Sequence, residues 1–486
     1  MNISRLLHTL VYLKPKQIIF QLRKFVVKPK YVQMSAPTHK MPTMMTTPIA
    51  RYKGVEGDIF TFINLSYKFE NWNYVGNGTL FTYNLNYFDF INADNVTEEE
   101  ACRWIDRFIH GIPTITWGLD PYPIALRGIN WIKYFCCHPE CSTKEREDSL
   151  YSQYRLLERK LEYHLLGNHL LEDAFSLTIG GYYFGDERMK QKGMKLLQQE
   201  LQEQILPDGA HYEQSPMYHC ILLDRLLDTY NITRFENLVM FAQRMLGHLE
   251  SICYEDDTWP FFNDAALGIA PSPDAIFKYA KRLGIEWETV PMRECGYRHL
   301  TNSNMEAFVD VGSITASYQP GHSHADTCNY ELRVDGKPFI IETGISTYDK
   351  TPRRQYERST AAHNCVVVNG QDSAEVWGGF RVGSRCKATI QRETPTEITV
   401  MHNGFPKSYA RTFKTTEVGF TIEDYYDGVA ISYIHLSEDA DKRRIVIEGA
   451  TSVEEFTEKA SIEYNRFIPC QVLKIHFNGR LTYRIQ

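Results

Sequence analysis

Four short stretches hold most of the residues able to do chemistry. Gly321-His322-Ser323-His324-Ala325-Asp326 sets two histidines one residue apart, behind a Pro-Gly and ahead of an Asp. Residues two apart on an extended strand face the same way, so His322 and His324 are expected to project into one cavity. Glu342 ends an apolar, β-rich run from Tyr330, and His363 opens the run Val366-Val367-Val368. A sheet would therefore carry three imidazoles and a carboxylate to neighbouring strand ends, a set suited to a metal, to proton transfer, or to both. The second stretch, Gly167-Asn168-His169-Leu170-Leu171-Glu172, falls between two helical runs. In the third, Asp208 to His219, Asp-Gly makes a turn and Ser215-Pro216 starts a helix. Tyr218 then sits in a first turn, where the helix dipole favours anions and could make it a base. The fourth, Tyr348 to Arg358, packs Lys350, Arg353, Arg354 and Arg358 into nine residues, a local cationic patch suited to carboxylate or sulfate.

The elements that must position these groups change character along the chain. Thr97-x-x-Glu100 and Ser142-x-x-Glu145 are capping boxes, each followed by helical spacing. Further helical runs cover about 120–136, 145–166, 170–184, 187–205, 214–230, 234–254 and 273–283. From about residue 304 the period becomes two, at Ala307–Val309, Ile314–Tyr318 and the hairpin broken at Asp335-Gly336. Strand-like runs continue at 388–390, 397–401, 420–422, 444–447 and 472–477. Helices followed by strands predict consecutive domains rather than an alternating fold, and 486 residues exceed what one core usually supports. The expected division is a basic segment and connector over 1–60, a helical domain over 61–300 and a β domain over 301–486. Leu80 to Phe88 is dense in aromatics and too irregular for a simple helix pattern.

A net charge of −7 argues against non-specific nucleic-acid binding, and an anionic ligand would need a local basic patch. The eleven cysteines are scattered without a Cys-x-x-Cys pair, which fits a reducing compartment. The apolar run Leu10 to Leu13 is too short for a signal-peptide core. A cytoplasmic location is expected, with the periplasm as the alternative. No stretch approaches the ~20 apolar residues of a membrane helix. Gln17 to Val27 can form a basic amphipathic helix that packs on the chain or makes a peripheral membrane contact.

Asn-His-Leu-Leu-Glu at 168–172, Glu-x-Ser-Pro-Met-Tyr-His at 213–219, Gly-His-x-His-Ala-Asp at 321–326 and Arg-Ser-Thr-Ala-Ala-His-Asn at 358–364 occur in that order. Together they resemble the heparinase II/III family of polysaccharide lyases, related to the oligoalginate lyases, over about residues 60–375. The resemblance implies a multidomain α+β chain: an incomplete (α/α) toroid, then an antiparallel β-sandwich domain. It also implies β-elimination on a uronic-acid-containing polysaccharide or oligosaccharide. Asn168 and His169 would contact the uronate carboxylate, Tyr218 would serve as base or acid, and His322 would be the partner base. Tyr356 would be a second tyrosine, with Glu172, Arg354 and Arg358 as substrate contacts. His324, Glu342 and His363 match positions that hold a structural Zn²⁺ in relatives, although Asp is usual where Glu342 stands. The basic N-terminus and numerous cysteines resemble the branch associated with capsule and lipopolysaccharide sugars. Two other readings stay open here, a non-catalytic glycan-binding component of that synthesis and a metal-dependent hydrolase built on the three histidines.

Overall fold

The computed structural model describes residues 3–486. Two short helices, α1 (Ile3–Leu10) and α2 (Pro15–Val26), lead through an extended connector into a small antiparallel sheet of β1 (Val55–Glu56), β2 (Ile59–Phe62) and β3 (Leu65–Lys68). Nine helices follow: α3 (Gly78–Tyr87), α4 (Glu98–Gly111), α5 (Pro121–Cys137), α6 (Lys144–Lys160), α7 (Gly167–Phe184), α8 (Glu187–Gln204), α9 (Pro216–Thr233), α10 (Val239–Ile252) and α11 (Pro273–Arg282). They make the expected incomplete (α/α) toroid. Among the described residues no helix is long and apolar enough to cross a membrane.

Local chemistry explains most of the boundaries. Thr97 accepts from the Glu100 amide and caps α4 as its box predicts. At α6 the cap lies one residue later than expected: Thr143 accepts from the Arg146 amide, and Ser142 instead donates to Glu147. All but two residues of α7 are buried, so it is wrapped by neighbours and shows no one-sided apolar stripe. Two glycines let α8 approach it. A Cβ on Gly181 would lie 2.3 Å from the Lys190 nitrogen, and one on Gly193 would lie 2.5 Å from that of Thr178. The aromatic stretch at 80–88, expected to be irregular, is mostly helix α3. Its rings and those around it interlock on several sides, as in Trp72 with Phe88 (5.3 Å) and Phe60 with Trp104 (4.7 Å), which hides the helical period.

The β half opens with β4 (Tyr297–Thr301), β5 (Met305–Asp310), β6 (Tyr330–Val334) and β7 (Lys337–Ile340). The β6–β7 hairpin turns at Asp335 and Gly336, both with positive φ (52° and 73°), as Asp-Gly predicts. A short helix α12 (Pro352–Glu357), then β8 (Val366–Val367) and the pair β9 (Val376–Trp377) and β10 (Arg381–Val382), precede the long strands. These are β11 (Ala388–Thr394), β12 (Glu397–His402), β13 (Tyr409–Thr416), β14 (Gly419–Ser437), β15 (Ile445–Glu463) and β16 (Arg466–Ile485). β14 pairs with β13, β16, β7 and β8, so one eleven-stranded antiparallel sheet branches there and curls over its own core. Its layers meet face to face: the Tyr330 ring of β6 lies 5.5 Å from Phe413 of β13, and its hydroxyl lies 3.0 Å from that of Tyr483 on β16. Residues 314–318, expected as a strand, are loop. The Thr315 amide and hydroxyl are taken by Gln214 and Tyr212 of the toroid, so this backbone belongs to the inter-domain seam.

Replacing Gly193 by Val should push α8 off α7 and lower stability by about 1–3 kcal/mol, the usual cost of overpacking a filled contact. Urea unfolding checks this, and a midpoint equal to that of the wild type would refute the close-contact account.

Candidate active site

Asn168, His169, Tyr218 and His322 line one cleft of about 1050 Å³ between toroid and β domain. Asn168, His169 and Tyr218 follow deformed backbone positions, as does the Asp264 that holds His322. Leu166 (φ 62°) and Gly167 (φ 59°) turn the chain into α7, so that Asn168 and His169 fall in its first turn. Gly167 has no substitute here, because a Cβ would lie 2.7 Å from Glu213 Oε1. Gln214 (φ 59°) precedes Ser215, whose hydroxyl caps α9 by accepting from the Tyr218 amide. Asn263 (φ 58°) precedes Asp264 in the loop between α10 and α11. Strained left-handed residues at several points of one cleft are the pattern of a site held by its surroundings.

Asp264, fully buried, ties the site together. Arg354 donates to it through both terminal nitrogens (2.5 and 2.7 Å), His322 contacts it through Nδ1 (2.9 Å), and His324 through Nε2 (2.8 Å). Burial by itself would raise this carboxyl. The Arg354 charge and the two imidazole hydrogen bonds outweigh burial and hold it well below the usual carboxylate range. An ionised Asp264 fixes a hydrogen on His322 Nδ1, which leaves Nε2 with a lone pair. That Nε2 faces the Asn168 amide nitrogen (3.3 Å) and Glu213 Oε2 (3.5 Å). Glu213 in turn accepts from the Asn168 backbone (2.9 Å) and side-chain amides (3.1 Å) and so orients the carboxamide. The Tyr218 ring lies 3.9 Å from the His322 ring, and its hydroxyl is 3.2 Å from that of Tyr348. Burial pushes the Tyr218 phenol above its ordinary value, the opposite direction to the lowering expected from the helix dipole. His169 contacts Glu162 (2.9 Å) and stacks near Tyr122 (4.6 Å). Burial would lower this imidazole, but Glu162 outweighs burial and raises it.

The other expected residues lie behind the cleft or away from it. Glu172 is fully buried one turn along α7, pushed up to about 7 by burial, with Arg225 Nε 3.5 Å away. Arg354 does not reach substrate, since its guanidinium is spent on Asp264. Arg358 is equally buried and donates to the Ser323 carbonyl (2.7 Å), which clamps the histidine loop. Tyr356 points away and donates to Glu458 of β15; Tyr348 takes the place by Tyr218 that was expected for it. His322 and His324 ride on a loop rather than a strand, and they converge because both bind Asp264. Their backbone could not extend β6, since the Asp264 amide takes the His322 carbonyl and Asn263 accepts from the His324 amide.

His324, Glu342 and His363 do come together, with the two rings 5.1 Å apart and His363 Nδ1 2.7 Å from Glu342. His324 Nδ1 and His363 Nε2 are buried without partners, as donors kept for a cation would be. Glu342, however, already accepts from Asn329 (2.5 Å) as well as contacting His363. Among the described residues, the trios whose ligand atoms lie within 4.8 Å of one another are Asp208–His248–Cys295 and Glu98–His138–Glu140, and the expected set is not one of them. The donor types suit Zn²⁺; the present side-chain positions do not yet close around an ion.

The local patterns missed Asp264, Glu213 and Tyr348. Glu213 and Tyr348 stand inside stretches already singled out, whereas Asp264 lies in an irregular loop with no pattern around it.

Residues 148–281 match the heparinase II/III N-terminus family model, and residues 285–440 match the heparinase II/III-like C-terminal model. The chain belongs to the heparinase II/III-like family. A heparin-sulfate lyase of Pedobacter heparinus is 25% identical over 243 residues, 42% of this chain and 36% of the relative. One from Bacteroides stercoris is 22% identical over 246 residues, 43% and 37% of the two chains. The matched region therefore spans little more than a third of those relatives. A crystal structure of heparinase III superposes with a TM-score of 0.66 at 14% identity, covering 96% of this chain and 88% of that one. A heparan sulfate lyase structure from Pedobacter heparinus gives 0.53 at 15% identity, over 96% and 87%. These likenesses establish the family's toroid-plus-β-domain fold for this chain.

Asp264→Ala leaves Arg354 buried and unpaired, and should cost about 3–5 kcal/mol of stability. Asp264→Asn keeps the shape but not the charge, and should lose activity ahead of stability because His322 can then adopt either tautomer. Chemical denaturation beside turnover separates the two. An Asp264→Ala protein as stable as wild type would contradict the role given to this carboxylate.

Proposed function

We propose that this chain is a polysaccharide lyase that cleaves a uronic-acid-containing glycan by β-elimination. The observation that carries the reading is the pairing, in one cleft, of an Asp264-oriented His322 with Tyr218, their rings 3.9 Å apart. Elimination removes the proton at C5 of the uronate, forms a C4–C5 double bond and expels the sugar linked at O4. The C5 proton is weakly acidic because the neighbouring carboxylate is already negative, so that carboxylate has to be neutralised first. Asn168 and His169 do this at the N-terminus of α7, where amide and dipole also favour an anion. His322 Nε2 takes the C5 proton as general base, and Asp264 stabilises the imidazolium that results. Tyr218 gives its proton to the departing O4 as general acid. Tyr348, whose hydroxyl lies 3.2 Å from that of Tyr218, holds the phenol in place, and after the product leaves Tyr218 regains its proton from solvent while His322 Nε2 gives up the C5 proton to it.

Aromatic rings of Tyr83, Tyr87, Tyr122 and Phe380 line the same cleft and give sugar faces something to stack on. Arg51 and Arg225 stand at its wall, already paired with buried carboxylates. Because the sequence relatives are named heparin-sulfate lyases, heparan-type glycosaminoglycans lead the substrates to be tried. Zn²⁺ held by His324, Glu342 and His363 belongs to the same proposal. Its contribution would be structural, tying the histidine loop to the end of β7, and metal analysis of the purified protein tests it.

Mixing the protein with heparan sulfate, hyaluronan and alginate should give a rise at the unsaturated-uronate absorbance band with one of them. Tyr218→Phe should lower that rate by about 10²–10⁴-fold, the worth of a general acid. No rise on any uronate polymer, together with tight binding to one, would replace the lyase with a glycan-binding protein. The role of His169 has its own signature. Glu162 raises the imidazole, so His169 stays charged to higher pH and activity falls as pH climbs through its pKa. Glu162→Gln should move that alkaline limb to lower pH while leaving the acid limb in place, and an unmoved limb would remove His169 from carboxylate neutralisation.

A further inference from the structure

We propose that α1 and α2 seat the mouth of the cleft on an anionic lipid bilayer. Residues 1–55 contain ten Lys and Arg and no Asp or Glu, while the rest of the chain sets 43 cations against all 60 carboxylates. The segment is also turned inside out relative to a packed helix. None of the described residues of α1 is buried, and the one buried residue of α2 is the polar Gln17. Gln17 donates to the backbone carbonyls of Leu165 (3.1 Å) and Tyr318 (3.2 Å). Other polar contacts anchor the pair: Arg5 and His8 to Glu375 (3.3 and 2.9 Å), Thr9 to the Trp377 indole (3.2 Å), and Lys14 to Glu203.

The helices therefore dock by their polar side and leave their apolar side open. Ile3, Leu7, Leu10 and Val11 repeat at i, i+4, i+7 and i+8, which makes one stripe along α1 and the residue after it. Ile18, Leu22, Phe25 and Val26 repeat the same spacing on α2. Val11, Phe25 and Val26 are 77%, 73% and 84% exposed. Eleven of the 26 large apolar residues exposed on the described surface fall between residues 3 and 27, a density that water does not favour. An apolar stripe followed by Lys28 and Lys30, with Arg23 on α2 and no carboxylate on the segment, complements lipid tails beneath anionic headgroups. Neither a neutral bilayer nor a soluble polyanion uses both features. Leu13, Ile18 and Leu22 also line the cleft, so the docked face is continuous with its opening. A bilayer there would hold the mouth towards glycans carried on the same membrane.

The test is co-sedimentation of the full chain with vesicles of phosphatidylcholine, alone or mixed with phosphatidylglycerol. The protein should pellet with the mixed vesicles, much less with phosphatidylcholine alone, and less as salt rises. Leu7→Ser, Val11→Ser, Phe25→Ser and Val26→Ser combined should weaken binding about tenfold or more, as should Lys28→Ala with Lys30→Ala. All four serines replace exposed side chains, and an unchanged thermal unfolding curve shows that the fold has survived. Several outcomes overturn the proposal: no pelleting with the anionic vesicles, undiminished binding by the serine variant, or binding to soluble heparin that fully competes with the vesicles. A dimer that light scattering finds in wild type and not in the serine variant would assign the stripe to a second copy of the chain instead.

Discussion

Everything in the cleft depends on one buried carboxylate. Asp264 is inaccessible to water, and so is the Arg354 that pairs with it. An ionised group in such a place survives only if its charge and its lone pairs are all met. Four contacts meet them, two from the guanidinium and one from each of two imidazoles. Each partner is immobilised in return. Arg354 is held at the start of α12, His324 is turned by its Nε2 towards Asp264, and His322 is left with Nε2 facing Asn168 and Glu213. The carboxylate thus orients His322 and sets the position of the loop carrying it, without itself lining the cleft.

The site is a joint between two domains, and the strain is placed accordingly. The toroid contributes Asn168, His169, Glu213, Tyr218 and Asp264, whereas the β half contributes His322, Tyr348 and Arg354. Leu166, Gln214 and Asn263 take up left-handed backbone just where the toroid hands residues to the joint. Such conformations persist only when neighbours over-determine them. Here the neighbours are hydrogen bonds across the seam: Gln214 donates to the Cys295 and Ser313 carbonyls, and Asn263 accepts from the His324 amide. Docking the β domain brings His322 to Asn168, so an opening of the seam would separate the two.

How legible this was in the sequence depends on how local each signal is. Helices such as α4 and α11 announce themselves by caps and apolar period, and the Asp335-Gly336 hairpin by its turn residues. Helix α3 does not, because rings packed on several sides erase the one-sided pattern. The histidine loop was legible as chemistry but misread as a strand. The Asn-His and Ser-Pro-Met-Tyr stretches survive as cleft residues because a helix N-terminus is itself a local feature. Asp264 was illegible, since its partners come from 58 to 90 residues further along the chain and nothing beside it marks the spot. Tyr348 and Tyr356 flank the same run of cations, and composition cannot rank them. The turn of α12 between them does, sending Tyr356 towards β15 and leaving Tyr348 at the cleft.

The same reasoning separates charges that act from charges that hold. The cationic patch at 350–358 looked like the anion site, yet Arg354 and Arg358 are both consumed inside the protein, one by Asp264 and the other by the Ser323 carbonyl. Burial explains why they had to be: a guanidinium without water needs every donor matched. Two further cations, Arg51 and Arg225, stand on the toroid wall of the cleft. Arg51 and Arg225 are themselves held among Asp89, Asp224 and Asp228. That network keeps the two guanidiniums charged and fixed at the wall, where they balance buried carboxylates as Arg354 balances Asp264.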